Sequence, residues 1–422
     1  MSTTARTRAS GATRLPVLGR NGVMTPELRE PEYRDLCTDC GVSRSSDPHR
    51  CGSVCQFIRP RYAELEAQVH GRTRDRSRPD ELHFGPFLQM ARARLTPPLE
   101  GAQWTGITTR LAERLLEEGR VDAVLATASH EDDRWRPRPV LVTEASGMAA
   151  CRGMKMGYSP LLALLDDARE MGFTRLAVVG IPCQIHALRA MEKELGLDAL
   201  YVLGTPCSDN TTTENFHAFL NRLSERPDEI TYLEFRADYH VEIRFKEGQV
   251  REIPFLQLPL SDLPDNFFPM TCKSCVDYVN VLSDLTVGYM GGDGDQWILV
   301  RNERGQEMLE LLGDEIELEA PMSKGRRKGP VKGFMKAVQR SADGLPLRKT
   351  PQWARPIVAR LMPLLGPRGT EFARARLEMK AVEAIIQLRR HHPRRVKRMV
   401  PPHVWELANP YGLQPEAKEE PR

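Results

Sequence analysis

The placing of nine cysteines constrains this chain more than any other feature of its sequence. Cys37-Thr-Asp-Cys40 is followed after ten residues by Cys51-Gly-Ser-Val-Cys55, so four thiols fall within 19 residues. A further pair, Cys272-Lys-Ser-Cys275, lies far downstream. Loops of the form C-x-x-C present two neighbouring thiolates at little entropic cost, which suits a metal ion or an iron-sulfur cluster. The spacing of the first group also resembles a zinc ribbon, so zinc and a cluster both stand open there. Cys183 and Cys207 sit in matching turns, Gly180-Ile-Pro-Cys-Gln and Gly204-Thr-Pro-Cys-Ser, each directly after a predicted buried strand. In an open α/β sheet, ligands gather beyond the carboxyl ends of the strands. The two cysteines are therefore expected side by side, completing a second set of four with Cys272 and Cys275. Cys151 has no such setting and reads as a small buried hydrophobe.

The thiols are read as reduced. Met1 to Arg20 holds four arginines and no uninterrupted apolar run of the ~7–15 residues that an export signal needs. Nor does any window approach the ~20 apolar residues of a membrane-spanning helix. The expectation is a cytoplasmic protein, at most peripheral to a membrane, in which cysteines bind metal rather than form disulfides.

A chain of 422 residues, 41% of them hydrophobic, can bury a sizeable core in two or three units. Residues 1–30 are polar and expected to be disordered. Residues 31–100 carry the first cysteine group and the charged stretch Gly71 to Asp80, read as a linker. From residue 101 to 320, short apolar runs alternate with amphipathic segments. Val121 to Ala128, Arg175 to Pro182 and Leu200 to Pro206 predict buried strands; Thr105 to Gly119, Ser159 to Gly172 and Gln184 to Gly196 predict helices. Ser159 as N-cap, Pro160 in the first turn and Gly172 as terminator frame the second helix. A hairpin turning at Lys246-Glu-Gly248 is predicted within Ile230 to Phe255, and a strand pair, Leu285 to Tyr289 and Trp297 to Arg301, around a Gly-rich loop. The alternation gives an α/β fold, a mixed sheet core with flanking helices. Residues 321–422 form a basic helical tail with a helix over Thr370 to Arg390.

That tail is where the charge lies. Between Pro321 and Val400 stand 21 basic and 4 acidic side chains, against 39 and 53 in the rest of the chain. It reads as a basic appendage on an acidic body: either a solvated face or a surface for an acidic protein or an anionic membrane. No recognition motif points to nucleic acid.

Several segments together resemble a known family. Gln103-Trp-Thr-Gly-Ile-Thr-Thr109, Gly180-Ile-Pro-Cys-Gln-Ile-His-Ala-Leu-Arg189, Gly204-Thr-Pro-Cys-Ser-Asp-Asn210 and Cys272-Lys-Ser-Cys-Val-Asp-Tyr278 are similar to motifs of the deazaflavin-dependent hydrogenase/dehydrogenase β-subunit family. Val287-Gly-Tyr-Met-Gly291 and Val300-Arg-Asn-Glu-Arg-Gly305 resemble its chlorophyll branch. The resemblance implies FAD, two 4Fe-4S clusters and reduced ferredoxin as electron donor. One cluster would be held by Cys37, Cys40, Cys51 and Cys55, the other by Cys183, Cys207, Cys272 and Cys275. The family often runs C-x2-C-x2-C at the first site; here Ser43 takes the third position. For the flavin, the matching positions are Gln103, Thr105, Gly106, Thr108, Thr109, Lys155, Ser159 and Asn210. A helix N-terminus at Thr105 to Thr109 would offer a pyrophosphate its N–H groups, and Lys155 a point charge. No G-x-G-x-x-G fingerprint for a dinucleotide occurs. The branch implies reduction of the 8-vinyl group of a divinyl chlorophyllide-type pigment at a photosynthetic membrane. The alternatives are reduction of a 7-hydroxymethyl group and an electron-relay β subunit. Asp209, adjacent to the Cys207 turn, is the candidate proton donor, its alternative role being to cap the helix after Asn210.

Overall fold

The apolar runs fold, as their alternation predicts, into a mixed sheet with helices on both faces. The computed structural model describes residues 19–25, 36–236, 238–288, 296–341 and 351–420. Nine of the described strands make the main sheet: β1 (Val23–Met24), β2 (Gln89–Leu95), β3 (Ala123–Ser129), β4 (Pro137–Val142), β5 (Arg175–Gly180), β6 (Ala199–Gly204), then β10 (Leu285–Gly288), β11 (Gln296–Val300) and β12 (Ile316–Glu319). Between them in sequence, β7 (Ile230–Phe235), β8 (His240–Phe245) and β9 (Val250–Pro254) form a separate antiparallel sheet. The main order is β1-β4-β3-β5-β6-β10-β11-β2-β12. The central β3, β5, β6 and β10 run parallel, and the pairs outside them are antiparallel.

Parallel strands need cover on both faces, and the sequence supplies it. Helices Ile107–Glu117 and Glu303–Glu310 share one core with Val124, Leu203 and Ile298. Helix Pro182–Leu195 and the long helix Thr370–His391 share the other with Leu125, Val178 and Val202. Helix Thr213–Leu223 closes a third core over the small sheet.

Several expectations are corrected. Gly19–Thr25, placed among the disordered first 30 residues, includes β1, whose Met24 is buried against the sheet and pairs with Leu141; residues 1–18 and 26–35 lie outside the described residues. β2, placed ahead of the α/β unit, is a strand of the same sheet. The charged stretch read as a linker is tied down, because Arg74 is buried in an ion pair with Glu66. The helix expected from Ser159 begins later, as a turn at Leu161–Ala163 leading into Leu164–Glu170. Its first N–H groups are taken otherwise: Leu161 donates to the Ser159 carbonyl and Leu162 to that of Cys40. Of the predicted strand pair, Leu285–Gly288 and Gln296–Val300 form as expected, while residues 289–295 lie outside the described residues.

The basic tail is no appendage. Helix Thr370–His391 runs through the main core, with Ala373, Leu377, Ala381, Ile385 and Leu388 buried. Its cations meet acids from elsewhere: Arg374 pairs with Asp80, Lys380 and Arg376 with Asp209, and Arg389 with Glu419. The opposite charge balances of body and tail thus partly neutralise each other across a packed interface.

Asp284 pins β10 to its neighbours. Both it and Arg189 are fully buried, 2.7 Å apart, and Asp284 also accepts from the Val202 N–H at 2.8 Å. Burial opposes its charge, but Arg189 and Arg304 outweigh burial and hold the carboxyl below its usual range. Asp284→Ala is expected to cost about 1–3 kcal/mol by leaving the buried Val202 N–H and one arm of Arg189 unmet, Arg189 keeping Glu192 at 3.0 Å, read as a lowered thermal midpoint. Because the folded-state pKa is depressed, the contribution is full above the ordinary carboxylate range and is lost as pH falls through the folded value.

Candidate functional site

The register of β5 and β6 decides where two cysteines go. Gly180 pairs with Gly204 at the ends of the strands, so Cys183 and Cys207, each three residues on, emerge side by side. A side chain at Gly204 would collide with Ser283 and Asn280, so glycine there admits the crossing segment. Asn280 then staples the strand ends, donating to the carbonyls of Gly180 (2.8 Å) and Thr205 (3.3 Å). The short helix Met270–Lys273 brings in Cys272 and, just beyond it, Cys275, and Cys207 N–H donates to the Tyr278 carbonyl at 2.9 Å. Cys183, Cys207, Cys272 and Cys275 line one cavity.

The first group also converges. Cys37, Cys51 and Cys55 all act electrostatically on Cys40. Gly41, at φ +110°, lets the backbone after Cys40 press against Leu162 and Ala163, where any Cβ would clash. Helix Cys51–Val54 lies against helix Pro182–Leu195, and the Val54 carbonyl is 3.0 Å from His186 Nδ1. Ser43 is buried in the turn after Cys40.

The two groups adjoin. Thr38, inside the first C-x-x-C loop, lines the cavity of the second group and hydrogen-bonds the Cys183 sulfur. Gln56, next to Cys55, points its Nε2 at Cys275 Sγ (3.7 Å), and Cys40 lies within electrostatic reach of Cys183.

The donor set fits metal-bound thiolates. Burial and neighbouring thiols raise Cys183 and Cys207 well above the usual range; burial and Asp209 push Cys272 up to about 12. Such thiols ionise only if a bound cation repays the cost. Backbone N–H groups already point at sulfur, Asp39 to Cys37 (3.3 Å) and Asn210 to Cys272 (3.4 Å). Among the described residues no three His, Cys, Asp or Glu side chains are close enough to grip one metal ion. Cys151 stands apart from both groups, and burial pushes its thiol to about 11.

The positions matched to the flavin divide. Ser159 and Asn210 line the cysteine cavity. Asn210 bridges to Gly157 through its side chain, and Ser159 Oγ lies 3.0 Å from Thr127 Oγ1. Gln103, Thr105, Gly106, Thr108 and Thr109 lie where helix Ile107–Glu117 begins, with Gly106 as N-cap. There two expectations change. The Thr105 hydroxyl turns inward to Gln296 Oε1 (3.0 Å), which also accepts the Ile107 N–H (3.2 Å). Lys155 donates to the carbonyls of Cys151, Arg152 and Gly153, closing the end of a 3-10 turn, and burial lowers it to about 8.

Asp209 lies on the cavity wall, with Lys380 Nζ at 3.2 Å and Arg376 at 3.6 Å. It does not cap the following helix; Thr212 does, accepting from the Asn215 N–H at 3.2 Å. Lys380 and Glu383 were not legible as site residues. Lys380 is buried in the cavity wall, and burial with Asp209 beside it raises the Glu383 carboxyl to about 8. The available signal was two charged residues on the apolar face of the tail helix.

Comparison with known proteins places this arrangement. Residues 90–166 and 173–324 match the N-terminal and C-terminal models of the coenzyme F420 hydrogenase/dehydrogenase beta subunit. The chain is 37% identical over 392 residues to the chloroplastic 7-hydroxymethyl chlorophyll a reductase of Oryza sativa subsp. japonica, covering 90% of this chain and 83% of the relative. The chain belongs to the coenzyme F420 hydrogenase/dehydrogenase beta-subunit family, in its chlorophyll branch. An uncharacterised protein of Nostoc sp. is likewise 37% identical, over 92% of this chain and 96% of its own length. The fold is shared with a chain of the F420-reducing nickel-iron hydrogenase complex of Methanosarcina barkeri, with a TM-score of 0.52 at 20% identity over 71% of this chain and 91% of that one. Membership makes the protein an oxidoreductase.

Proposed function

We propose that this chain is an iron-sulfur flavoprotein that reduces the 8-vinyl group of a divinyl chlorophyllide-type pigment, taking electrons from reduced ferredoxin. The observation that carries the reading is the meeting of two cysteine quartets, one lining a cavity at the strand ends and the other touching it through Thr38 and Gln56. Two 4Fe-4S clusters would supply a one-electron relay, and FAD a two-electron store that can deliver hydride. The Cys37, Cys40, Cys51, Cys55 group and the Cys183, Cys207, Cys272, Cys275 group would hold the clusters. Ser159 and Asn210 are assigned to the flavin side of the cavity, with Gly106, Thr108 and Thr109 at the helix N-terminus. Asp209, with Glu383 and Lys380 behind it, is the group assigned to carry the proton.

A docking face for an acidic donor is assigned to helix Lys328–Arg340, whose exposed Lys328, Lys332, Lys336 and Arg340 repeat every four residues. Arg389 and Arg390, by contrast, are engaged with Glu419 and with the Ser341 carbonyl.

The rice relative favours a second reading, reduction of a 7-hydroxymethyl group by the same machinery. Turnover of the purified protein with reduced ferredoxin and each pigment separates them. Conversion of a divinyl to a monoethyl pigment is the expected result. Conversion of the 7-hydroxymethyl pigment alone would establish the second reading, and electron transfer with neither would leave a relay subunit.

A further inference from the structure

One helix turns its apolar side chains away from the protein. Helix Arg355–Leu365 follows a short turn, Gln352–Ala354. Trp353 is 76% exposed, Ile357 57%, Leu361 43%, Leu364 70% and Leu365 69%. Steps of three and four residues put these side chains along one side of the helix. The other side seats it: Ala359 is buried, and the helix rests on the turn Phe255–Gln257. Single exposed apolar residues need no explanation, but a continuous stripe of this size marks a surface that something covers.

The surrounding charge indicates what covers it. From Pro351 to Thr370 the sequence has three basic residues, Arg355, Arg360 and Arg368, and no acid. Arg360 is exposed on the helix itself. Lys324 and Arg326 are also exposed, and Lys324 lies on β13 (Ser323–Lys324), which pairs with β14 (Arg368–Gly369) three residues beyond the helix. We propose that this helix lies flat in the interface of a bilayer containing anionic phospholipid. The apolar stripe would enter the acyl boundary, with Trp353 at its edge and the cations among the phosphates. Eleven residues extend only about 16 Å, and no described helix is long and apolar enough to cross a membrane. A second copy of the chain would bring the same cations against these. The proposal does not depend on the substrate assigned above. Its position matters all the same: Gly366 to Gly369 joins this helix directly to Thr370–His391, which carries Lys380 to the cysteine cavity and Arg376 to Asp209.

The test is co-sedimentation of the full-length protein with vesicles of phosphatidylcholine alone or mixed with phosphatidylglycerol. Binding to the mixed vesicles should be at least about tenfold stronger and weaken with added salt. The quadruple change Ile357→Ser, Leu361→Ser, Leu364→Ser and Leu365→Ser should reduce it about tenfold or more with an unchanged thermal midpoint. As a measurement free of folding concerns, Trp emission should shift to the blue on adding mixed vesicles, and Trp353→Phe should remove most of that shift. Failure to bind mixed vesicles, equal binding by the quadruple variant, or self-association that the variant abolishes without any vesicle binding would each overturn the proposal.

Discussion

Cys183→Ala is expected to lose about half of the bound iron and all turnover, while Cys151→Ala keeps both. Cys183 belongs to the quartet that lines the cavity, which draws its members from three separate segments, and it is the one cysteine its own segment supplies. The structural cost of the change is small, since it removes one sulfur atom from a site next to an existing cavity. The Cys37 group draws its ligands from a different segment and should retain its iron. Iron analysis and visible absorption of anaerobically purified variants check this. Full iron in the Cys183 variant, or iron lost from the Cys151 variant, would break the division into two quartets.

Lys380→Met is expected to make the second cluster harder to reduce while leaving its iron in place. The Lys380 amine sits 3.2 Å from Asp209 Oδ1 and 3.4 Å from the Cys272 carbonyl, buried, where little solvent screens it. A unit charge a few ångströms away, at an effective dielectric near 20, is worth ~2–4 kcal/mol. The midpoint potential should therefore fall by on the order of 100 mV, and turnover with it. The change also removes a buried cation paired with Asp209, so stability should drop. Lys380→Arg keeps the charge and should restore most of the potential. Redox titration followed by electron paramagnetic resonance reads the shift, and an unchanged potential in an iron-replete Lys380→Met protein would remove this role.

Much of the cysteine geometry was legible because it follows from short-range rules. Gly180-Ile-Pro-Cys and Gly204-Thr-Pro-Cys each end a run of apolar residues, and parallel pairing in register suffices to put the two thiols together. Helix Ile107–Glu117 was legible in the same way, inside the predicted Thr105 to Gly119, although its start falls two residues later. What could not be read depends on distant partners. The turn at Ser159 gives way to a helix start at Leu161 because the Cys40 carbonyl, over a hundred residues earlier, takes the Leu162 N–H. The Thr105 hydroxyl is claimed by Gln296, nearly two hundred residues away. The tail misled most. Its net charge suggested a solvated appendage, yet charge counts carry no information on which cations find buried partners, and Lys380 and Arg376 find Asp209.

The central claim is that the eight cysteines outside Cys151 hold two four-iron clusters. Its most direct test is metal analysis of the full-length protein purified without oxygen, with electron paramagnetic resonance of the reduced state. The account predicts about eight irons and eight acid-labile sulfides per chain, and a reduced spectrum showing two clusters close enough to interact, as the Thr38 and Gln56 contacts require. Four irons or fewer, with zinc bound stoichiometrically at Cys37, Cys40, Cys51 and Cys55, would contradict it.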